Sequence, residues 1–296
     1  MYDHCFTGIR EIEMPDALAT VLRRAAEAIN GAEAMLIGAG AGMGVDSGLP
    51  DFRGSEGFWR AYPPYRKLGL DFKALADPRW FREDPPVAWG FYGHRLELYR
   101  RTEPHEGFEV LRKWGERMPL GAFVYTSNVD GQFQRAGFDH GRIIEVHGAI
   151  DRLQCIVECG VGVFSAHSTV VTIDEKTMRA RRPLPQCPQC GVVARPSILM
   201  FGDREWDDTI TRAQRRLLHS WLKTLHGRRI VVVECGAGTA IPTVRNACEE
   251  LSRKSEGTLI RINTRDLEAP HGQINLPLGA RDGLLEIQRI LQGENS

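Results

Sequence analysis

Four groups of residues in this sequence have types and spacings that could do chemistry. The first is almost free of side chains: Gly38-Ala39-Gly40-Ala41-Gly42-Met43-Gly44 follows a short apolar run. A backbone so bare lets main-chain N–H groups close on a pyrophosphate at the positive end of the next helix. Tight turns need glycine for steric reasons too, so the weight comes from the continuation to Asp51-Phe52-Arg53, an acid, a ring and a guanidinium in a row. The competing reading of that triplet is a solvated surface loop. The second group is Thr126-Ser127-Asn128-Val129-Asp130 at the end of another apolar run, the place where open α/β sheets bind ligands. Asn128 and Asp130, two positions apart, would face the same side of an extended segment, or they form an Asx turn. The third, Glu145-Val146-His147-Gly148, ends the next run and offers the side chain best tuned to take a proton near neutral pH. A lone histidine is more often structural; three polar strand ends around one glycine-rich loop shift the balance to catalysis. The fourth is Cys155-x3-Cys159 with Cys187-x2-Cys190, 27 residues apart, while Cys5, Cys235 and Cys248 stand alone. Two close pairs point to a metal rather than disulfides. Four small buried apolar residues are the alternative.

These groups need elements to position them. Asp16 to Asn30 carries Leu18, Val21, Leu22, Ala25 and Ile29 at helical spacing, with Asp16 as N-cap and Asn30-Gly31 as stop. Short apolar runs at 34–37, 122–126, 143–146, 230–233 and 259–262 have the pattern of buried parallel strands. A helical pattern follows Pro242, where Val244, Ala247, Cys248 and Leu251 share a face. Such alternation predicts an α/β fold with a doubly wound parallel sheet of Rossmann-like type.

Two stretches interrupt it. Residues 54–100 hold eleven of the 24 aromatic residues, a density that marks an inserted helical and aromatic module, helical over 86–101. Residues 149–195 contain the clustered cysteines and a strand-like run, Ser168 to Ile173, and read as a small metal-stapled insertion.

At 296 residues the chain has room for roughly two domains, or one with insertions. Its 38 basic and 38 acidic residues balance, so no global charge draws it to nucleic acid or to an anionic membrane. No apolar stretch approaches the ~18 residues of a spanning helix. Residues 1–30 lack the pattern of a secretory signal. The expected setting is cytoplasmic, with no nucleic-acid and no membrane partner.

Taken in order, Gly40 to Arg53, Thr126 to Asp130 continuing to Arg135-Ala136-Gly137, Glu145 to Gly148, the paired cysteines, Arg195-Pro196 to Phe201-Gly202, and Asn263 resemble the signature of the sirtuins, the NAD-dependent protein deacylases, in a divergent bacterial-type form. The likeness runs over about residues 30–265. It implies a Rossmann-like NAD-binding domain (14–53, 101–148 and 200–292), with NAD in the crevice beside a smaller domain. That smaller domain joins the helical insertion (54–100) to a zinc-binding one (149–199). It implies cofactor contacts at Gly40, Ala41, Gly42, Asp51, Phe52, Arg53, Ser127, Asn128, Asp130, Gly238, Thr239 and Asn263. His147 would be the general base beside Asn128 and Asp130. One structural zinc would sit on Cys155, Cys159, Cys187 and Cys190. The acyl oxygen of a modified lysine would attack C1′ of the nicotinamide ribose, giving nicotinamide, O-acyl-ADP-ribose and free lysine. An acyl-lysine protein or peptide would lie along Met200, Phe201 and Gly202. Tyr92-x-x-Arg95 resembles the pair with which some sirtuins recognise acidic acyl groups such as succinyl, a role suited to the forked guanidinium. A partly exposed helix arginine is the other reading.

The sequence departs from the family at Ser127, where Gln is usual, at Gly44, where Ser is usual, and over 236–245, which follows an unusual Glu234-Cys235. These departures keep two alternatives open: a protein mono-ADP-ribosyltransferase or NAD-cleaving enzyme using the same pocket, and an NAD-binding regulatory module without catalysis.

Overall fold

The computed structural model describes residues 16–50, 58–60, 62–67 and 69–293. Helix α1 (Asp16–Asn30) leads into β1 (Ala34–Ala39), which ends in a 3-10 segment, Ala41–Ser47. Next among the described residues come α2 (Pro63–Lys67), α3 (Phe72–Leu75), α4 (Trp80–Glu83) and the long α5 (Pro85–Arg101). Then α6 (Glu106–Arg117) returns the chain to β2 (Ala122–Thr126), and short α7 (Gln132–Arg135) precedes β3 (Ile143–Glu145). The chain next leaves this layer for β4 (Gly148–Cys155), β5 (Val163–Ser165), β6 (Ile173–Asp174), β7 (Arg179–Ala180) and β8 (Ala194–Ile198). It comes back as α8 (Thr209–Lys223), β9 (Ile230–Cys235), α9 (Thr243–Ser255), β10 (Thr258–Ile262), β11 (Ile274–Leu276) and α10 (Ala280–Leu291).

The main sheet has the order β11-β10-β9-β1-β2-β3, and its neighbours run parallel. Strand order reverses between β1 and β9, which makes the carboxyl ends of those two strands the topological switch point. Alternate residues of β1 serve opposite faces. Met35 and Ile37 pack with Leu22 and Ile29 of α1, Leu111 and Trp114 of α6, and Leu284 and Ile287 of α10. Ala34 and Leu36 pack with Leu218 and Trp221 of α8 and Val244 and Cys248 of α9. Cover on both faces explains why these strands are apolar runs rather than alternating ones.

The two interrupting stretches, far apart in sequence, share one core. Phe81, Trp89, Phe91, Tyr92 and Leu96 pack with Ile150, Leu153, Ala194 and Ile198. The Trp89 indole donates to the Ala194 carbonyl at 2.9 Å, and the Tyr65 hydroxyl to the Met178 carbonyl at 2.9 Å. The expected strand over 168–173 is a correction: only Ile173–Asp174 is extended and paired. Val170 is 82% exposed, and the carbonyls of Ala166 and Thr169 are taken by the Arg100 guanidinium instead of a partner strand. No helix among the described residues is long and apolar enough to cross a membrane.

Candidate functional site

At the switch point two turns lie backbone on backbone. Gly40 follows β1, and a Cβ there would sit 2.6 Å from the Ala237 Cα and 2.7 Å from the Gly236 carbonyl oxygen. Gly236 follows β9 at φ +61° and faces Gly42 just as closely. Hydrogen bonds tie the turns together: Gly40 donates to the Cys235 carbonyl and Gly42 to the Gly236 carbonyl, both at 3.0 Å. Side chains would force the turns apart, so the glycines at 40 and 236 are required by contact. Beside them lies a cavity of about 120 Å³ lined by Gly42, Asp46, Gly236, Asn263 and Arg265. A larger groove of about 1030 Å³ lies at the opposite end of the sheet, by Ile230 and Thr258 where β9 and β10 begin, away from every candidate residue.

Two side chains, one within the 3-10 segment and one outside it, fasten it to its neighbours. Asp46 accepts the Arg281 N–H at 2.9 Å and so caps α10. Buried His105 accepts the Gly107 N–H on Nδ1 at 3.0 Å. That leaves its proton on Nε2, 3.0 Å from the Met43 carbonyl it donates to. The His105 N–H also donates to Ser47 Oγ at 3.1 Å. Sequence reasoning did not single out His105; its place at the start of α6, before Glu106 and Glu109, was the available signal.

The ends of β2 and β3 bring the amide and the imidazole to this turn. Thr126 pairs with Glu145, so Asn128 and His147 leave adjacent strands at matching positions. Asn128 donates from Nδ2 to the Gly40 carbonyl at 2.9 Å, and its N–H meets Thr126 Oγ1 at 3.0 Å. Asp130 accepts the Gln132 N–H at 3.0 Å, so the Asx-turn reading holds at this position. Burial pushes its carboxyl up to about 6, against the pull of the Gln132 N–H. His147 is half-buried. Burial lowers its pKa, and a hydrogen bond to the Ser127 carbonyl partly opposes this. A ring that donates to Ser127 keeps its other nitrogen unprotonated, which is the form a general base needs. Glu145, by contrast, is buried under the Arg152 guanidinium and Gln214, a structural position.

The other expected site residues are dispersed around this centre. Asn263 is buried at the end of β10 and donates to the Ala237 carbonyl at 2.9 Å. Gly238 and Thr239 lie in the turn after β9, where Thr239 is exposed and donates to Asp266 at 3.3 Å. Ala41 and Gly42 open the 3-10 segment. Asp51, Phe52 and Arg53 lie outside the described residues. The strip after β8 adjoins the imidazole residue: Leu199 donates its N–H to the His147 carbonyl at 3.0 Å, and Phe201 to the Ala76 carbonyl at 2.8 Å. Met200 is buried, and Gly202 turns the chain at φ +69°. A buried fork from Arg195 to both oxygens of Asp203, at 2.7 and 3.0 Å, closes that turn. Tyr92 and Arg95 are both buried on α5. Arg95 donates to the Tyr99 hydroxyl from Nε at 3.0 Å and Nη2 at 2.8 Å. Its guanidinium carbon lies 5.1 Å from the Phe91 ring centre and 5.7 Å from that of Tyr92. Burial pushes the Tyr92 phenol up to about 12. The helix-arginine alternative assumed partial exposure and is not what is found.

The four cysteines converge. Their sulfurs lie within 4.8 Å of one another, with Cys155 to Cys190 at 3.6 Å and Cys159 to Cys187 at 3.4 Å. Thiolates at 2.3 Å around a tetrahedral zinc would stand about 3.8 Å apart, so the donor set fits a closed structural zinc. The extra residue in the first pair is absorbed by Glu158, in the left-handed region at φ +47°.

Residues 40–232 match the model of the Sir2 family. The chain belongs to that family. Among its relatives, an NAD-dependent protein deacylase of Aquifex aeolicus is 33% identical over 174 residues, covering 59% of this chain and 64% of that one, just under two thirds of its length. An NAD-dependent protein deacetylase of Halalkalibacterium halodurans is 29% identical over 80% of this chain and 97% of its own. Among solved structures, a Sir2 homolog–NAD complex has a TM-score of 0.66 at 24% identity, covering 92% of this chain and 94% of the other. The sirtuin fold therefore extends over nearly all of this chain.

Proposed function

We propose that this sirtuin is an NAD-dependent protein-lysine deacylase with His147 as its general base. The observation that carries the reading is the meeting, at one switch point, of a bare-backbone turn with an amide, a carboxyl shifted upward by burial and an oriented imidazole. The tight Gly40, Gly42 and Gly236 contacts suit a pyrophosphate cradle. Bound there, NAD supplies a ribosyl carbon with nicotinamide as leaving group. Ser127, Asn128 and Asp130 border the nicotinamide ribose. The unprotonated nitrogen of His147 takes the proton of a ribose hydroxyl, activating it toward the bound acyl group. Holding the hydroxyl and the acyl group together at this base would favour that transfer over hydrolysis. An acyl-lysine segment runs along Leu199 to Gly202, beside His147. The N–H groups of Leu199 and Phe201 are already committed within the chain, so the segment would be gripped through other groups of the strip.

Tyr92 and Arg95 extend the reading to acidic acyl chains. A carboxylate reaching Arg95 would compete with the Tyr99 hydroxyl for the same fork and would be bound more strongly, because it is charged.

The test is incubation with NAD and a panel of acetyl-, propionyl- and succinyl-lysine peptides, read by intact mass. Nicotinamide release with O-acyl-ADP-ribose is the expected result, and His147→Ala should abolish it while NAD still binds. Transfer of the ADP-ribosyl label to protein, or no nicotinamide release, would overturn the deacylase reading. Equal rates on acetyl and succinyl peptides, unchanged in Arg95→Ala, would remove the acidic-acyl preference alone.

A further inference from the structure

The departures at Glu234 and over 236–245 leave charged groups that the chemistry above does not use. Arg261, on β10, is 0% exposed, and its fork binds both oxygens of Glu234, on β9, at 2.6 and 2.9 Å. Nη2 also meets Glu249 of α9 at 2.7 Å, and Nη1 reaches the Glu268 carbonyl. Arg245, on α9 and 6% exposed, donates to the Asp266 carbonyl at 2.6 Å and to the Glu268 carbonyl at 2.6 Å. It reaches the Ala237 carbonyl at 3.4 Å. Ala237 also accepts Asn263 Nδ2. Two buried guanidiniums thus converge on the carbonyls of 266 and 268, in a loop where Asp266 adopts φ +51°. Arg245 binds it to the turn after β9, and Arg261 binds it to Glu234 at the end of β9 and to α9. A buried ion pair is a poor source of net stability compared with apolar packing. Its use at the end of a ligand cleft fits a role in placing backbone.

We infer that Arg245 and Arg261 are positioning residues that hold the 236–242 and 263–269 turns together and so set affinity for the adenosine half of NAD. The inference rests on the NAD reading above. With the pyrophosphate over Gly40 to Gly42 and the nicotinamide end toward Asn128 and His147, the adenosine end lies on the other side of the glycine turn. The cavity formed by Gly236, Asn263 and Arg265 lies there.

The experiment compares the full-length wild type with Arg245→Ala and Arg245→Lys. It reads kcat and KM for NAD with an acetyl-lysine peptide, ADP-ribose affinity by calorimetry, and amide hydrogen exchange. In Arg245→Ala the KM for NAD and the Kd for ADP-ribose should both rise about tenfold, the scale of one lost positioned hydrogen bond. The kcat should stay within about twofold, and exchange should quicken over 236–242 and 263–269. Arg245→Lys keeps the charge but not the two-carbonyl fork, so its KM and Kd should rise too. It serves as the test if the alanine variant does not fold. A lower melting temperature with unchanged KM and Kd would make the network merely structural and overturn the inference. A wild type that does not bind ADP-ribose would overturn the NAD reading itself.

Discussion

At the residue scale, the two titrating groups beside the glycine turn make opposite predictions. His147 is held below the ordinary imidazole range by burial, so it is a free base throughout neutral pH. The acid limb of kcat/KM should therefore fall below pH 6.5, and a limb above 7 would contradict His147 as the base. Asp130 is the reverse case. Its folded pKa, about 6, lies above the ordinary 3.8, so the fold holds a proton that the unfolded chain releases. The cost of ionisation grows as pH rises from about 4 to 6 and is complete above that. Asp130→Asn keeps the acceptor for the Gln132 N–H and should raise stability at pH 8 by about 1–3 kcal/mol, with no gain at pH 4. Melting curves at the two pH values check this. The same variant should lose activity if Asp130 borders the ribose.

At the scale of elements, the 3-10 segment depends on neighbours that fasten it. His105 joins the start of α6 to the Met43 carbonyl, and burial lowers its pKa while Asp46 and Glu106 pull it up and Arg281 pulls it down. With a folded pKa below the unfolded 6.5, its contribution to stability is complete above pH 6.5. It is lost as pH falls through the folded value, because a proton on Nδ1 would confront the Gly107 N–H. His105→Asn keeps an N-cap but no second tether. It should lose stability at pH 7.5, by about 1 kcal/mol, and little at pH 5. Equal losses at both pH values would refute the tether.

Legibility at this scale followed packing. Five of the six parallel strands were legible because both faces are covered and their residues form apolar runs; β11 was not, because it is three residues long with Asn275 exposed in its middle. Helix α8 was not, because only Thr211, Leu218 and Trp221 of its residues are buried. Strand β4 was not, because Asp151 and Arg152 interrupt it and Arg152 is neutralised by distant Glu145. Within the site, Asn128 and His147 were legible as polar residues on strand ends. His105 and Arg245 were not, since they hold main-chain carbonyls of residues 43, 237, 266 and 268, and a carbonyl leaves no mark in the amino-acid code; Arg261 was not, since its carboxylate partners Glu234 and Glu249 lie on other elements.

Across the whole molecule, the cysteine cluster stands at the rim of the core that also encloses Tyr92 and Leu96, through Leu153, Ala194 and Ile198. Stripping the metal should therefore disturb the acyl side as well as the cysteine loops. One zinc per chain by elemental analysis, a melting temperature several degrees lower after chelation, and loss of deacylation are the expected results. Metal removed with melting unchanged would reject a structural role. The association of the aromatic and cysteine stretches was legible only through the family resemblance, because nothing local joins Trp89 to the Ala194 carbonyl.

The placement of the cysteines also has a practical use. Cys235 and Cys248 are sealed in the interior, and burial drives their thiols well above the ordinary range. A water-borne disulfide reagent would leave those two untouched in the native protein, so among the described cysteines the chromophore it releases would come from the four metal ligands. Its colour would report, in real time, the moment the ion departs.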